Sequence, residues 1–321
     1  MQQRHTTQYQ ICGLILESNI PLTELRQAPG SQPNCSFLLQ STRDYQLLAT
    51  DWFHHWRGAD GGEPWLSFGK LEGYYLLRFP ELADFMISLD GNSIRCFPEP
   101  DIPLDTIRHL LIDQVVPLLL SQIGTIALHA SAVVLDEGAV AFLGKTGLGK
   151  SSLTASLCNR GFRLLTDDCL PLKKQGEQLI AIPSYRGVRL WPEMVSAVFH
   201  ETPTLAPLAH YTDKQRVIPI NGHLEFCADP IQLKRVYVLA PPDETDTQQI
   251  RITPLTKREA LMELVNQTFR LDINDRTKLS NEFHWLAWAA DLPIYYRLAF
   301  PRDLDLLPAL LEAILAHAKV D

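Results

Sequence analysis

The sequence predicts an α/β fold with a β-rich N-terminal domain, residues 1–100, and a larger second domain, residues 101–321. Three observations lead to this prediction. The length of 321 residues exceeds that of one ordinary small domain. The first hundred residues contain short apolar runs between turn residues and no long helical periodicity. Further along, a strand, a glycine-rich loop, a helix and another strand follow one another, as in α/β units.

The composition argues against several classes of protein. Hydrophobic residues make up 46% of the chain, which is enough to fill a core and argues against disorder. With 29 basic and 37 acidic residues the net charge is −8, which argues against a nucleic-acid-coating protein but leaves room for a local basic pocket. No two cysteines form a Cys-x-x-Cys pair, so zinc ribbons and thioredoxin-type redox sites are not expected.

The cysteines and the N-terminus predict a cytoplasmic protein. Scattered cysteines suit a reducing compartment, and they stand at Cys12, Cys35, Cys96, Cys158, Cys169 and Cys227. The first ten residues are polar and lack the apolar core of a signal peptide. The apolar stretch Val115–Leu135 is long enough to consider as a membrane span. Because Pro117, Gly124 and His129 interrupt it, a buried helix running into a buried strand is favoured.

The N-terminal domain is predicted to be a meander of short strands. Turn residues such as Gly61 and Gly91 separate the predicted strands, which are Tyr9–Leu16, Ser36–Leu39, Trp65–Phe68, Tyr74–Phe79 and Phe85–Leu89. A further run, Ile94–Phe97, is expected to pair with the last of them as a hairpin. The aromatic residues of this domain are expected in its core, although they would also suit a platform for a ligand.

The second domain is predicted to begin with a helix and to continue with strands and helices. Apolar residues at helical spacing predict a helix over Leu104–Leu120, with a kink at Pro117. The pattern of a capping box at Thr256 and Glu259 marks the start of a later helix. The other predicted elements are strands at Ala127–Leu135, Ala139–Leu143, Phe162–Leu165, Leu179–Ile182, Val217–Ile220, Val236–Leu239, Ile250–Pro254 and Ile294–Leu298, and helices at Ser151–Arg160, Thr256–Asn266, Lys278–Ala290 and Leu304–Ala318.

A phosphate-binding loop is predicted after the buried strand Ala139–Leu143. Its glycines let the backbone N–H groups approach phosphate oxygens, and the helix that follows directs its N-terminus at the same anion. Lys150 would neutralise phosphate charge, and the hydroxyl of Ser151 would bind Mg²⁺. A glycine-rich loop with a solvated lysine is the alternative, and Lys145 would either contact phosphate or point to water. The residues assigned to nucleotide binding match G-x-x-x-x-G-K-[ST] and the position after it: Gly144, Lys145, Thr146, Gly147, Leu148, Gly149, Lys150, Ser151 and Ser152.

Two carboxylates and a histidine lie near this loop in the sequence. Asp167 and Asp168 end the strand Phe162–Leu165, which is expected beside the strand that leads into the loop. One acid would bind Mg²⁺ together with Ser151, and the other would accept a hydroxyl proton; a solvated turn or a helix N-cap is the alternative. His129 interrupts an apolar strand, so it belongs either to the site or to the core as a hydrogen-bonded residue.

The order and spacing of these segments resemble the catalytic core of the HPr kinase/phosphorylase family. The segments that carry the resemblance are His129-Ala130, Gly144–Ser151 and Arg160–Asp168. That family transfers phosphate from ATP or pyrophosphate to a protein serine, and its fold resembles the nucleotide-binding core of phosphoenolpyruvate carboxykinase. The resemblance implies a P-loop kinase core with Asp168, His129 and Lys150 as catalytic residues. In it Asp168 would be the base toward the serine, with Asp167 near the metal.

Residues beyond the acid pair resemble a divergent branch of that family. Ser184 stands where the second family signature has an acidic residue, and Leu190-Trp191-Pro192 follows the segment that partly matches it. Members of this branch include kinases encoded beside ribosomally made peptides, such as lasso-peptide kinases that phosphorylate a precursor serine. Additional phosphate clamps, or ordinary salt bridges, are expected at Arg186, Arg189, Arg216 and Arg270.

Three functions are therefore open. The first is an ATP- and Mg²⁺-dependent serine kinase that acts on a small protein or a ribosomally made precursor peptide. The second is a nucleotide-binding regulatory module with weak ATPase activity, and the third is a small-molecule kinase. A serine-bearing protein or peptide is the expected partner, whereas nucleic acid and membrane are not expected. Hexamers occur in the resembled family, so the resemblance allows a homo-oligomer.

Overall fold

The chain divides into two compact units with sheets and few helices, a mixed α/β architecture. The computed structural model describes residues 6–40, 51–57, 61–136, 138–199, 201, 203–218, 224–241 and 249–319. The first unit comprises Met1–Ile123 with the short segments Ala209–Tyr211 and Arg270–Asp272. The second unit comprises Gly124–Leu208, Thr212–Phe269 and Ile273–Asp321.

The first unit is built on a nine-stranded sheet. Its strands pair in the order β3-β1-β2-β4-β9-β8-β7-β6-β5. Strands β5 to β9 form an antiparallel meander, and the predicted hairpin between the two strands around Gly91 is confirmed as β8 and β9. The bounds are β1 Thr7–Ile11, β2 Leu14–Ser18, β3 Arg26–Gln27, β4 Cys35–Leu39, β5 Asp51–Arg57, β6 Pro64–Leu71, β7 Tyr74–Phe79, β8 Ala83–Ser88 and β9 Ser93–Pro98.

Two predictions for this sheet are wrong in detail. The predicted single strand Tyr9–Leu16 is the hairpin of β1 and β2, because Cys12 and Gly13 both adopt positive φ and close a two-residue turn. A cysteine at such a position gives no turn pattern in the sequence. Trp56 is 50% exposed on the edge strand β5, whereas Tyr75 is buried as expected for a core residue.

The helical segment of the first unit contains a wider turn than predicted. It consists of α1 Leu104–Leu110, a π-helical stretch Leu111–Val115 and α2 Val116–Gln122. Pro117 lies in the first turn of α2. Because proline lacks an N–H and its ring crowds the carbonyl four residues earlier, the chain widens just before it, and the irregularity precedes Pro117.

The second unit contains an eight-stranded sheet, a three-stranded sheet and five α-helices within the part of the chain that the structure describes. The strands are β10 Ile126–Leu135, β11 Gly138–Leu143, β12 Arg163–Thr166, β13 Cys169–Gln175, β14 Gln178–Ala181, β15 Val188–Leu190, β16 Leu205–Pro207, β17 Gln215–Val217, β18 Ile231–Leu239, β19 Arg251–Pro254 and β20 Tyr295–Ala299. The helices are α3 Lys150–Asn159, α4 Pro192–Val198, α5 Lys257–Gln267, α6 Arg276–Ala289 and α7 Leu307–Ala318, the last preceded by a 3₁₀ turn Leu304–Leu306. The predicted capping box is confirmed at the start of α5. The end of the predicted strand Val217–Ile220, residues 219–220, lies outside the described residues.

Strand β10 organises the large sheet. It pairs antiparallel with β11 along one edge and with β12 and β13 along the other. The expectation that β12 lies beside β11 is therefore wrong, because a tight turn folds β10 directly onto β11. Since β11 and β12 both run opposite to β10, and β18 and β20 run parallel to β11, these four strands end at the same edge of the sheet.

Helices cover both faces of this sheet. Helices α3 and α7 pack on one face, where Leu153, Ile314 and Phe142 belong to one buried apolar cluster. Helices α5 and α6 pack on the other, where Leu264 and Leu286 belong to the second cluster. Strands β10 and β11 are buried on both faces, which accounts for their nearly continuous apolar sequence.

The long apolar stretch Val115–Leu135 forms α2 and β10, as the interpretation of a helix running into a strand predicts. Across the described residues, no helix combines the length and the apolar character needed to cross a bilayer.

Candidate functional site

The glycine-rich loop connects β11 to α3, at the edge where the parallel strands end. Gly144 has a φ of 142°, and a Cβ there would lie 3.2 Å from Leu148 Cδ1 and 3.4 Å from Leu239 Cβ. Gly149, at the N-cap of α3, has a φ of 95°. Both positions need glycine, because a side chain would meet backbone strain at either site and crowding at Gly144. The curled loop exposes Lys145, Thr146 and Gly147 at its tip.

The side chain of Lys150 folds back under this loop. It is 6% exposed, and its Nζ donates to the carbonyls of Gly144 at 2.7 Å and Lys145 at 3.2 Å. Burial lowers the pKa of Lys150 from 10.5 to about 8, and the nearby Asp167 and Asp168 carboxylates oppose part of that fall. The alternative of a solvated lysine is therefore wrong for Lys150, whereas the Lys145 side chain is exposed.

Asp167 is fully buried and fully engaged in hydrogen bonds. Its Oδ1 accepts from the hydroxyls of Ser131 at 2.6 Å and Ser151 at 2.8 Å, and its Oδ2 accepts from the backbone N–H of Arg189 at 2.9 Å. The guanidinium of Arg189 lies 3.7 Å from the same oxygen. A solvated turn is excluded for this residue. The partner Ser131 was not predicted, although a polar residue two positions after His129 on an apolar strand shares its face.

Asp168 turns its carboxylate in a different direction. Its φ of 88° is rare for a residue with a side chain and costs about 1–2 kcal/mol. Its Oδ1 lies 2.6 Å from Arg189 Nη2 and 3.2 Å from His129 Nδ1. The positive φ separates the two neighbouring acids, so one is buried behind the loop and the other lines a pocket.

His129 belongs to the same cluster. It lies on β10 next to Ala130, whose backbone pairs with Leu143 at the start of the loop. Burial lowers the pKa of His129 below 6.5, and the Asp168 carboxylate offsets part of this change. The rings of His129 and Phe269 meet edge to face, with their centres 6.0 Å apart.

A pocket of about 310 Å³ joins these residues. His129, Asp168, Arg189 and the loop from Thr146 to Ser152 all line it. The structure thus brings together most of the residues that the sequence singled out, and Asp167 lies buried behind Ser151.

The pocket also contains residues that the sequence did not identify. Trp191 is 44% exposed, and the ammonium group of Lys214 lies 5.3 Å from the centre of its ring. Arg302 donates to the carbonyl of Leu148 at 2.6 Å and to that of Ala240 at 2.7 Å. No sequence pattern marks these side chains, because they come from segments far from the loop along the chain.

The four arginines expected as clamps have different positions. Arg189 contacts both aspartates. Arg216 is buried with its guanidinium 5.6 Å from the centre of the Tyr185 ring, and Arg186 is exposed. Arg270 belongs to the first unit.

The oxygens around Asp167 fit a magnesium ion that also binds phosphate. Asp167 Oδ1 and Ser151 Oγ lie 2.8 Å apart, and both are hard oxygen ligands. Within the described ranges, no group of three or more His, Cys, Asp and Glu side chains is placed to hold a metal. Mg²⁺ in phosphoryl-transfer sites needs no such group, because it takes one or two protein oxygens and completes its shell with phosphates and water.

Known proteins resemble this chain over parts of its sequence and structure. No family model matches the chain. Over 79 residues, 24% of the chain, it is 34% identical to the HPr kinase/phosphorylase of Bacillus licheniformis, and it covers 25% of that protein. The chain thus spans about a quarter of the length of the curated relative it matches.

A solved structure of a protein with a related name also matches. The HPr(Ser) kinase/phosphatase of Coxiella burnetii is 15% identical, with 60% of this chain and 95% of that chain covered. The TM-score is 0.31. Together with the loop and the acid pair, the sequence match shows that the chain has an HPr kinase-like relationship over part of its length.

Proposed function

We propose that this protein is an ATP- and Mg²⁺-dependent kinase that phosphorylates a serine of a small protein or ribosomally made precursor peptide. One observation carries the proposal. A single pocket is lined by the glycine-rich loop with its buried lysine and by the Asp168 carboxylate, which contacts Arg189 and His129. An anion site next to a proton acceptor is what phosphoryl transfer to a hydroxyl requires.

In this proposal the loop is a P-loop that binds the triphosphate. The N–H groups of Gly147 and Gly149 and the N-terminus of α3 surround the phosphates, and Lys150 supplies the positive charge. Lys150 now donates to two loop carbonyls, so it is held at the site before any phosphate arrives. Ser151 and Asp167 would hold Mg²⁺, which supplies charge neutralisation and orients the phosphates.

Asp168 is proposed as the base. Its carboxylate faces the pocket beside the loop, where it would accept the proton of the serine hydroxyl. Nδ1 of His129 and the guanidinium of Arg189 contact Asp168 Oδ1 and orient the carboxylate. Arg189 also lies close enough to the loop to share its charge with the transferred phosphoryl group.

Five further expectations belong to this proposal. The catalytic domain is proposed to be residues 101–321, with a core like that of phosphoenolpyruvate carboxykinase. The β-rich region 1–100 is proposed as a separate domain. A cytoplasmic location, a serine-bearing partner without nucleic acid or membrane, and a homo-oligomeric assembly are kept as proposals as well.

The test uses labelled ATP and candidate acceptors, including ribosomally made peptides encoded nearby. We expect transfer to a serine, and we expect Asp168→Asn to reduce its rate by about 10²- to 10⁴-fold while Mg-ATP still binds. Asp291→Asn, an exposed aspartate of the second unit, is the matched control and should transfer at the wild-type rate. Undiminished transfer by Asp168→Asn would contradict the assignment of the base.

A nucleotide-binding regulatory module is the second candidate. It is favoured by the ion pair of 2.6 Å between Arg189 and Asp168, which keeps one carboxylate oxygen occupied. It predicts that ATP affinity is lost in Lys150→Ala but that mass spectrometry finds no phosphorylated product with any acceptor. A metabolite phosphorylated at a kinase-like rate would instead indicate a small-molecule kinase.

A further inference from the structure

The loop divides the pocket into two chemically different halves. In the sheet, β11 has β10 and β12 on one side and β18 and β20 on the other. The acid pair follows β12, so it lies on the first side. Phe300 and Arg302 follow β20, so they lie on the second side, and both line the same pocket.

The second half is mostly apolar, with Arg302 and Asp303 as charged residues in its lining, and it is partly open to water. Its side chains, which we call the apolar end, are Ile250, Phe300, Leu304, Leu306, Leu307 and Leu310. Leu304 is 55% exposed, an unusual state for a leucine that lines a pocket. The apolar end is continuous with the glycine-rich loop, since one cavity of about 310 Å³ includes both.

One cation of the pocket lining, Arg302, contacts both the loop and the apolar end. The guanidinium of Arg302 bridges the carbonyls of Leu148 and Ala240 and lies 4.2 Å from the centre of the Phe300 ring. One of its nitrogens would be 3.7 Å from a Cβ placed on Gly149. Arg302 thus adds positive charge where a phosphate chain would leave the loop.

We propose that the apolar end binds the base and ribose of the donor, so that the donor is a nucleoside triphosphate rather than pyrophosphate. The inference rests on the proposed kinase function. If the terminal phosphate must face Asp168, the rest of the donor leaves the loop on the opposite side, toward Arg302 and Leu304. A purine ring gains affinity there by apolar contact and stacking, and the α-phosphate lies beside Arg302.

The experiment compares ATP with inorganic tripolyphosphate, which has the same three phosphates and no nucleoside. Binding of each to the full chain is measured by calorimetry in excess Mg²⁺. We expect wild-type protein to bind ATP at least tenfold more tightly. Leu304→Ala should weaken the affinity for ATP about fivefold and leave the affinity for tripolyphosphate unchanged, because it removes apolar contact only at the apolar end of the pocket.

The controls separate this inference from the function beneath it. Leu304 is exposed, so its variant is expected to fold. Leu89→Ala removes a leucine of similar exposure, 49%, that is not part of the pocket lining, and it should leave both affinities unchanged. Lys150→Met should weaken the affinity for both ligands, which tests whether the loop binds phosphate.

Three results would count against the inference. Equal affinity for ATP and tripolyphosphate would show that the nucleoside contributes nothing. The base would lie elsewhere if Leu304→Ala bound ATP as tightly as wild type does. The same would follow if the variant lost affinity for ATP and for tripolyphosphate to the same extent. If wild-type protein bound neither ligand, or Lys150→Met left both unchanged, the phosphate site itself would be refuted and the inference with it.

Discussion

Replacing Lys150 by methionine should stabilise the ligand-free protein and weaken its binding of phosphate. The amine is 6% exposed and is held by two backbone carbonyls, so the fold keeps a charge in a poorly solvated place. Groups held in this way are typical of functional sites, where stability is lower than the fold alone would allow. Methionine has nearly the same length and no charge.

The pKa of Lys150 sets the size of the effect. It falls from 10.5 to about 8, and each pKa unit corresponds to about 1.4 kcal/mol. The charged amine therefore costs the folded state about 3 kcal/mol at pH 7. The variant loses the hydrogen bonds to Gly144 and Lys145, which offsets about 1–2 kcal/mol. We expect Lys150→Met to be more stable than wild type by about 1–2 kcal/mol at pH 7.

The sign of the pH dependence follows from the lowered pKa. The penalty is fully present below pH 8, where the amine is charged in both states, and it disappears as the pH rises from about 8 to 10.5. The free energy of unfolding of wild type should therefore rise by about 2 kcal/mol relative to that of the variant between pH 7 and pH 10. The assay is urea denaturation followed by fluorescence at several pH values.

The matched control is the exposed lysine of the same loop. Lys145→Met should change stability by less than about 0.5 kcal/mol at every pH, because its side chain is in solvent. The reasoning would be refuted if Lys150→Met were less stable than wild type at pH 7. It would also be refuted if the difference between the two proteins were independent of pH.

Two further pairs of substitutions test the buried acid and a tight turn. Asp167→Asn should cost less than about 2 kcal/mol, because a turned amide can donate to both serine hydroxyls and accept from the Arg189 N–H, whereas Asp167→Ala should cost about 3–5 kcal/mol. Urea denaturation of the two variants measures this, and equal losses would contradict it. Gly91→Ala should cost about 2–4 kcal/mol, since its φ is 73° and its Cβ would lie 2.3 Å from Ile123 Cγ2. Gly73 has a similar φ of 77°, but no atom lies within 4 Å of the position of its Cβ. If Gly73→Ala lost as much stability as Gly91→Ala, the steric explanation would be ruled out.

Local patterns were predicted well from the sequence. The strand, loop and helix around Gly144 follow from short-range rules, because glycine at positive φ and a helix N-terminus leave a recognisable spacing. The capping box at Thr256 is of the same kind. By contrast, the hairpin at Cys12 has no such pattern, and the predicted single strand there was wrong.

The arrangement of strands was harder to predict. The order β12-β10-β11 depends on which pairing has the lowest free energy in the whole sheet, and this order was not predicted from neighbouring residues. The same order brings Ser131 of β10 against Asp167. A serine in an apolar strand has many structural explanations, so its role was visible only from the distance of 2.6 Å between the two side chains.

The sequence by itself determined the glycine-rich loop, the pair of acids and the nearby histidine, because these residues are identified by spacing along a short stretch of chain. Only the tertiary structure decided that Arg189 contacts both acids, and that Arg302 and Leu304 lie on the other side of the loop. The physical reason is that such contacts join residues far apart in the chain. Whether such contacts form depends on the packing of all the strands and helices together, and no local sequence pattern predicts it.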